Sequence, residues 1–137
     1  MLRCIEERDL KECLKLLEEL TIVGEVPNYL EIFNELKNNK NHYIFVYEED
    51  NKILGMATLL IEQKFIHSGS RVGHIEDVVV SKNHRKSGIG KKLVDKCVEV
   101  AKYRQCYKTI LDCDDNLLVF YTKMGFRRAG NYMKIIF

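Results

Sequence analysis

The segment Arg85-Lys86-Ser87-Gly88-Ile89-Gly90 is where residue type and spacing most directly imply chemistry. It lies between an apolar run, Val78-Val79-Val80, and a stretch of helical periodicity. Amides at a helix start point outward without partners and sit at the positive end of the helix dipole. Glycines let an anion such as phosphate come close to that backbone, and Arg85, Lys86, Lys91 and Lys92 add positive charge around it. Two common phosphate loops are excluded. A Walker A loop needs glycine where Arg85 stands, and the dinucleotide pattern G-x-G-x-x-G needs it where Leu93 stands. The plain alternative is a solvated turn with a basic helix start.

Carboxylates come next. Asp112 closes the apolar run before it, and a carboxylate at a sheet edge can orient a substrate amine or accept its proton through water. It reads equally as a turn residue beside Asp114 and Asp115. Glu76 and Asp77 are adjacent on a predicted strand, so their side chains leave opposite faces. Lys64 and His67 stand at a strand end beside a Gly/Ser turn. Either can pair with a dianion, or they are a basic surface pair. Tyr121 fits a short amphipathic helix. His42, His74 and His84 read as surface or structural, and no His/Cys/carboxylate set has metal-ligand spacing, so no metal is expected.

These residues need elements to position them. Leu2–Glu6 starts a short strand. Asp9 caps a helix through Leu20, with Leu10, Leu14, Leu17 and Leu20 as its core face. Pro27 suits the first turn of a second helix carrying Leu30, Phe33 and Leu36. His42–Glu48 and Ile53–Phe65 read as a hairpin across Glu49-Asp50-Asn51-Lys52. Gly73–Val80 follows as a strand whose apolar end suggests a mid-sheet position. A helix runs through Tyr103 on Leu93, Val94, Cys97, Val100 and Ala101. Thr109–Cys113 is a strand, Leu117–Met124 a helix ended by Gly125, and Asn131–Phe137 a last strand apolar on both faces. The fold class is α/β (or α+β), a mixed sheet with helices on both sides.

The length of 137 residues suits one domain, spanning 1–137. With 46% apolar and 31% charged residues, the chain is neither disordered nor fibrous. A net charge of +2 gives no reason to expect nucleic acid as partner. The longest apolar stretch, Ile53–Ile61, is far short of the roughly 20 residues of a membrane helix. Neither a signal-peptide stretch nor a second-position glycine for myristoylation is found near Met1. Five cysteines without a CxxC argue for reduced thiols and a cytoplasmic location.

The glycine loop also fits R/Q-x-x-G-x-G, and with the strand before it and the helix after it the chain resembles the GNAT superfamily of acetyl-CoA-dependent N-acetyltransferases. Within it, several segments resemble the glucosamine 6-phosphate N-acetyltransferases. They are Gln63-Lys64-Phe65-Ile66-His67, Gly73-His74-Ile75-Glu76-Asp77-Val78-Val79-Val80, Cys106-Tyr107-Lys108 running into Ile110-Leu111-Asp112-Cys113, and Phe120-Tyr121-Thr122-Lys123-Met124-Gly125-Phe126. Leu20-Thr21-Ile22-Val23-Gly24 is similar to that family's segment after the first helix. The glycine loop and the F-Y-x-K-x-G-F segment mark only the superfamily; the others together are specific to the sugar-phosphate enzymes.

The resemblance implies a GNAT fold with a mostly antiparallel sheet, and acetyl transfer from acetyl-CoA to D-glucosamine 6-phosphate by direct transfer, a step toward UDP-N-acetylglucosamine. Val78, Val79 and Val80 would pair with the pantetheine arm, a backbone amide there polarising the thioester carbonyl. The amides of Lys86, Ser87, Gly88, Ile89, Gly90 and Lys91 would cradle the pyrophosphate, with Tyr121, Thr122 and Lys123 also against the cofactor. Tyr121 would be the general acid to the departing thiolate, and Asp112 or Glu76 the amine's proton acceptor. Thr21, Lys64, Phe65, Ile66, His67, Glu76, Asp77, Val78, Tyr107, Lys108 and Asp112 carry over as substrate contacts. The family is homodimeric with shared active sites, and the apolar last strand would invite a second chain. One position departs. Several relatives carry an arginine near the extreme C-terminus that helps hold the sugar phosphate, and here it is Ile136. Then Lys64, His67 and Lys108 suffice for the phosphate, or its binding is weaker, or the acceptor is another small amine or a protein amine.

Overall fold

The computed structural model describes residues 1–137. A sheet of β1 (Leu2–Cys4), β2 (His42–Glu49), β3 (Lys52–Gln63), β4 (Arg71–Val80) and β5 (Cys106–Ile110) runs in chain order, with helices α1 (Leu10–Leu17), α2 (Tyr29–Asn38), α4 (Ile89–Tyr103) and α5 (Leu118–Lys123) and, labelled α3, a single turn Ile66–Gly69 whose His67 and Ser68 are left-handed rather than helical. The first four strands are antiparallel and β5 is parallel to β4. This is the mixed, mostly antiparallel sheet the sequence predicts.

Alternation along the strands sorts the core into two layers. Phe45, Leu54, Ala57, Leu59, Ile61 and Ile75 face α4; Val46, Ile53, Met56 and Val79 face α1. The α4 seam is Ile89, Leu93, Cys97 and Ala101, spaced four apart, with Val94 alongside. Two glycines permit its close approach. A Cβ on Gly55 would lie 2.9 Å from Ile89 Cγ2 and 2.9 Å from Leu93 Cδ1, and one on Gly73 would lie 3.1 Å from the Ala101 Cβ. The β2–β3 hairpin closes through Asp50 and Asn51, both with positive φ, as a two-residue primed turn requires.

Several expectations need correction. Asp9 does not cap α1 by accepting downstream amides. It accepts the Glu6 amide (2.8 Å) and takes both ends of the Arg3 guanidinium (2.7 and 2.9 Å), tying β1 to the helix start. The buried side of α1 is Leu10, Cys13 and Leu16, while Leu20 lies exposed beyond the helix end. Of the predicted α2 face only Phe33 is buried, while Leu36 is half-buried and Leu30 exposed. The fifth strand is Cys106–Ile110, not Thr109–Cys113: Gln105, at φ 62°, turns the chain straight from α4 into a ladder with β4. Residues 131–137 form no strand. A ladder needs a neighbouring edge, and no strand of the chain pairs with this segment, which leaves Tyr132, Met133, Ile135, Ile136 and Phe137 exposed.

Candidate active site

Strand β4 builds the site. Its register against β3 jumps from Met56↔Val79 to Thr58↔Glu76, so Asp77 and Val78 together oppose Ala57. This is a β-bulge, with Asp77 at φ 50°. On the other side the β5 ladder ends at His74↔Ile110, while β4 continues to Val80. The two parallel strands therefore part, and the β4 edge beyond His74 faces a gap with its backbone free to pair. Val79 is buried but Val78 and Val80 are only half-buried, because this stretch has a strand on one side only.

The gap is lined from three directions. Glu76 leaves β4 on the face opposite α4, and its carboxyl is held above the ordinary range, first by burial and then by the charges of Asp112 and Asp77. Asp112 stands just past the end of β5, where the chain leaves the sheet. Tyr121 comes from α5 and is 7% exposed, wedged edge-to-face between Phe120 (4.9 Å) and Phe126 (5.8 Å). Burial, with Cys113 and Asp112 nearby, pushes its phenol up to about 12, so it keeps its proton at neutral pH. Burial likewise raises the neighbouring Cys113 thiol, with Asp112, Asp114 and Asp115 adding to it. A neutral thiol is a poor nucleophile.

The glycine loop follows β4 directly. Lys86 (φ 65°) and Gly88 (φ 86°) are left-handed, which turns the loop back before α4 begins at Ile89. No amide from Lys86 to Lys91 donates to a protein acceptor; the first to do so is Lys92, to the Gly88 carbonyl. A row of unpaired amides at a 15-residue helix N-terminus suits a pyrophosphate. Gly90 lies against α5, where an added Cβ would meet Phe120 at 3.4 Å. Thr122 and Lys123 are exposed on the same short helix. The flanking cations are less available than their sequence suggests. Arg85 turns toward Glu19 (3.9 Å) and the Val80 carbonyl (3.3 Å), Lys91 pairs with Asp95 (2.5 Å), and Lys92 lies over the Tyr47 ring (5.3 Å). Lys86 has no such partner.

The basic residues form a second cluster, at the β3–β4 turn. His67 is left-handed (φ 48°) and its ring stacks on Tyr107 at 4.0 Å; Lys108 Nζ lies 5.4 Å above the same ring. Phe65 and Ile66 protrude into solvent. Lys64 contacts Glu62 (3.3 Å), whose carboxylate also holds His74 Nε2 (2.9 Å). The cluster lies at the first residues of β4, five positions or about 17 Å before Glu76 at ~3.3 Å per residue. Within one chain these bases and the carboxylates are not brought together. Thr21 is exposed after α1.

Sequence reasoning missed Glu62 and His74 as a pair, and Phe120 and Phe126 as the walls around Tyr121. The first depends on the β3–β4 register, which puts Leu60 opposite His74 and so Glu62 on its diagonal. The second was signalled only by aromatic residues around Tyr121.

A parted sheet edge, a free-amide loop and a buried phenol suit chemistry on an extended, phosphate-bearing thioester. The description "Acetyltransferase (GNAT) family" matches residues 10–126, and the chain belongs to that family. Its relatives narrow the class. The chain is 39% identical to the glucosamine 6-phosphate N-acetyltransferase of Trypanosoma brucei brucei over 98% of this chain and 93% of that one. It is 36% identical to the enzyme of that name from Arabidopsis thaliana over 93% and 89%. A crystal structure of glucosamine-6-phosphate N-acetyltransferase from Arabidopsis thaliana superposes with a TM-score of 0.96 at 35% identity, covering 100% of this chain and 97% of that one.

Proposed function

We propose that this enzyme acetylates the amine of D-glucosamine 6-phosphate with acetyl-CoA, giving N-acetyl-D-glucosamine 6-phosphate and CoA, as a single domain over residues 1–137. The observation that carries the reading is the grouping of Glu76, Asp112 and Tyr121 around the open β4 edge, in a chain similar over nearly its full length to enzymes of that name. The cytoplasmic location and the place upstream of UDP-N-acetylglucosamine rest on the same kinship.

Acetyl-CoA supplies an activated acyl group. Its pyrophosphate fits the amides of residues 86–91, and its extended arm fits the β4 edge at Val78, Val79 and Val80, whose free amides can also polarise a carbonyl. Thr122 and Lys123 flank that path. The acceptor amine meets Glu76 and Asp112, where one carboxylate takes its proton through water. The nitrogen lone pair then bonds to the carbonyl carbon, the carbon–sulfur bond breaks as the nitrogen releases its second proton to solvent, and the sulfur takes the Tyr121 proton. Bulk solvent restores the phenol. The neutral Cys113 thiol supports direct transfer within a ternary complex rather than a covalent enzyme intermediate.

A homodimer completes this reading. Thr21, Lys64, Phe65, Ile66, His67, Tyr107 and Lys108 are the proposed sugar and phosphate contacts, and most lie at the end of β4 away from the carboxylates. A second copy presenting its 64–67 turn would unite the two halves. The exposed apolar tail 131–137 supports such an association. Ile136, where the resemblance leads one to expect an arginine, favours a second reading in which the acceptor is another small amine or a protein amine.

The test mixes protein, acetyl-CoA and glucosamine 6-phosphate and follows product by mass spectrometry. Acetylated sugar phosphate, with no product from glucosamine, is expected. Intact acetyl-CoA binding with no acetylation of the sugar phosphate would overturn the acceptor assignment and send the search to other amines.

A further inference from the structure

We propose a second anion site, in a cavity of about 250 Å³ lined by Lys40, Asn41, Ile61, Gln63, Arg71 and Arg104, that takes a small phosphate-bearing molecule. The cavity is set apart from the glycine loop and the carboxylates, although Gln63 and Arg71 adjoin the 64–70 turn that carries Lys64 and His67. Ile61 belongs to the α4-facing layer and Gln63 follows it by alternation, while Glu62, His74 and Glu76 leave the opposite face of the sheet. The glycine loop is at the other end of the ten-residue β4, about 30 Å away at ~3.3 Å per residue.

Its charges have no counter-ion. None of the chain's ion pairs involves Lys40, Arg71 or Arg104. The guanidiniums are instead held in place by neutral acceptors. Arg71 donates to Gln63 Oε1 (3.1 Å) and the Arg104 carbonyl (3.0 Å). Arg104 donates to the Lys40 carbonyl (2.8 Å), the Tyr43 hydroxyl (2.6 Å) and Asn41 Oδ1 (2.8 Å), and lies over the Tyr43 ring at 5.9 Å. These contacts fix the side chains without neutralising them and leave N–H groups unused on both, since each guanidinium carries five. Two part-buried guanidiniums lining one concavity, with the exposed Lys40 at its edge, repel one another. A phosphate relieves that repulsion and matches the guanidinium fork with paired, charge-assisted hydrogen bonds. The volume exceeds that of a lone phosphate and leaves room for an ester group.

The site is tested on the full-length protein saturated with CoA, which fills the glycine loop. Inorganic phosphate, glycerol 3-phosphate and chloride at matched ionic strength are titrated separately while the Nε–Hε resonances of Arg71 and Arg104 are followed by NMR. Saturable shifts of both with the phosphates but not chloride are expected. Lys40→Glu, at an exposed position, should weaken that binding by about tenfold or more, the worth of one charge-assisted contact, with the rest of the spectrum unchanged. Tighter binding of the ester identifies a phosphorylated metabolite as ligand; tighter binding of inorganic phosphate identifies the free ion. No saturable shift, an equal response to chloride, or an unaltered affinity in Lys40→Glu would overturn the site. Because the readout is at these two arginines, failure of the sugar-phosphate acceptor assignment leaves it unaffected.

Discussion

Tyr121 is the residue on which the proposed chemistry turns. Removing its hydroxyl leaves the ring between Phe120 and Phe126 and deletes only the proton donor. Tyr121→Phe is therefore expected to lower kcat by about 10²- to 10⁴-fold while CoA affinity, measured by calorimetry, stays at the wild-type value; unchanged turnover would remove Tyr121 from the chemistry. Glu76 carries a second prediction at this scale. Burial and the neighbouring charges of Asp112 and Asp77 raise its carboxyl. A carbon-13 titration should show Glu76 losing its proton above the ordinary glutamate range. In Asp112→Asn the midpoint should move part of the way back, because burial, the larger cause, remains. No movement would mean that Asp112 and Glu76 do not share one site.

At the level of elements, the site exists because two packed units hold β4 in a fixed shape. On one side α4 presses onto β3 across Gly55, where no side chain fits. Gly55→Ala would force Ile89, Leu93 or the Val79 carbonyl to give way, and the expected cost is about 1–3 kcal/mol in urea unfolding, as for an overpacked core. Ile89 opens the helix whose N-terminus carries the phosphate loop, so the same variant should weaken CoA binding. The bulge at Asp77 is the other device. By placing two residues opposite Ala57, it bends β4 beyond the point where β5 stops, and a bend there is what opens an edge to a ligand.

For the molecule as a whole, the unpaired tail and the alkaline limit of stability are the measurable consequences. Deleting residues 131–137 removes five large apolar groups that are exposed in the monomer. Light scattering at micromolar concentration should give a dimer for the full chain and a monomer for the truncated one, with acetyl transfer lost alongside; a full chain that is already monomeric would contradict the shared site. The pH limit comes from the core. Burial raises the Cys13 and Cys97 thiols from 9.0 to about 12, and the Tyr121 phenol from 10.0 to about 12. Between those values the unfolded chain has released protons that the folded chain retains. Stability is therefore full below pH 9 and falls as pH rises toward 12. A urea midpoint that is flat from pH 8 to 11 would show that these groups ionise without opposing the fold.

Local pattern was enough for much of this protein. The four-residue seam of α4, the hairpin turn at Asp50-Asn51 and the glycine loop are written in residues close together in the chain, because helix period, turn geometry and unpaired helix-start amides are short-range properties. The resemblance carried by scattered segments named the chemistry. What local pattern could not supply was register and partnership. Whether Asp112 sits in a turn or against Glu76 depends on where β5 stops pairing with β4, and Thr109–Cys113 has the pattern of a strand because its apolar run continues past that point. The pairing of Glu62 with His74 follows from strands aligned across 12 residues, and the bond from Arg71 to the Arg104 carbonyl from the end of α4 being brought beside β4, 33 residues away. The last segment has the composition of a strand and none of its hydrogen bonds, since a ladder is a property of two edges and this chain pairs it with none of its own.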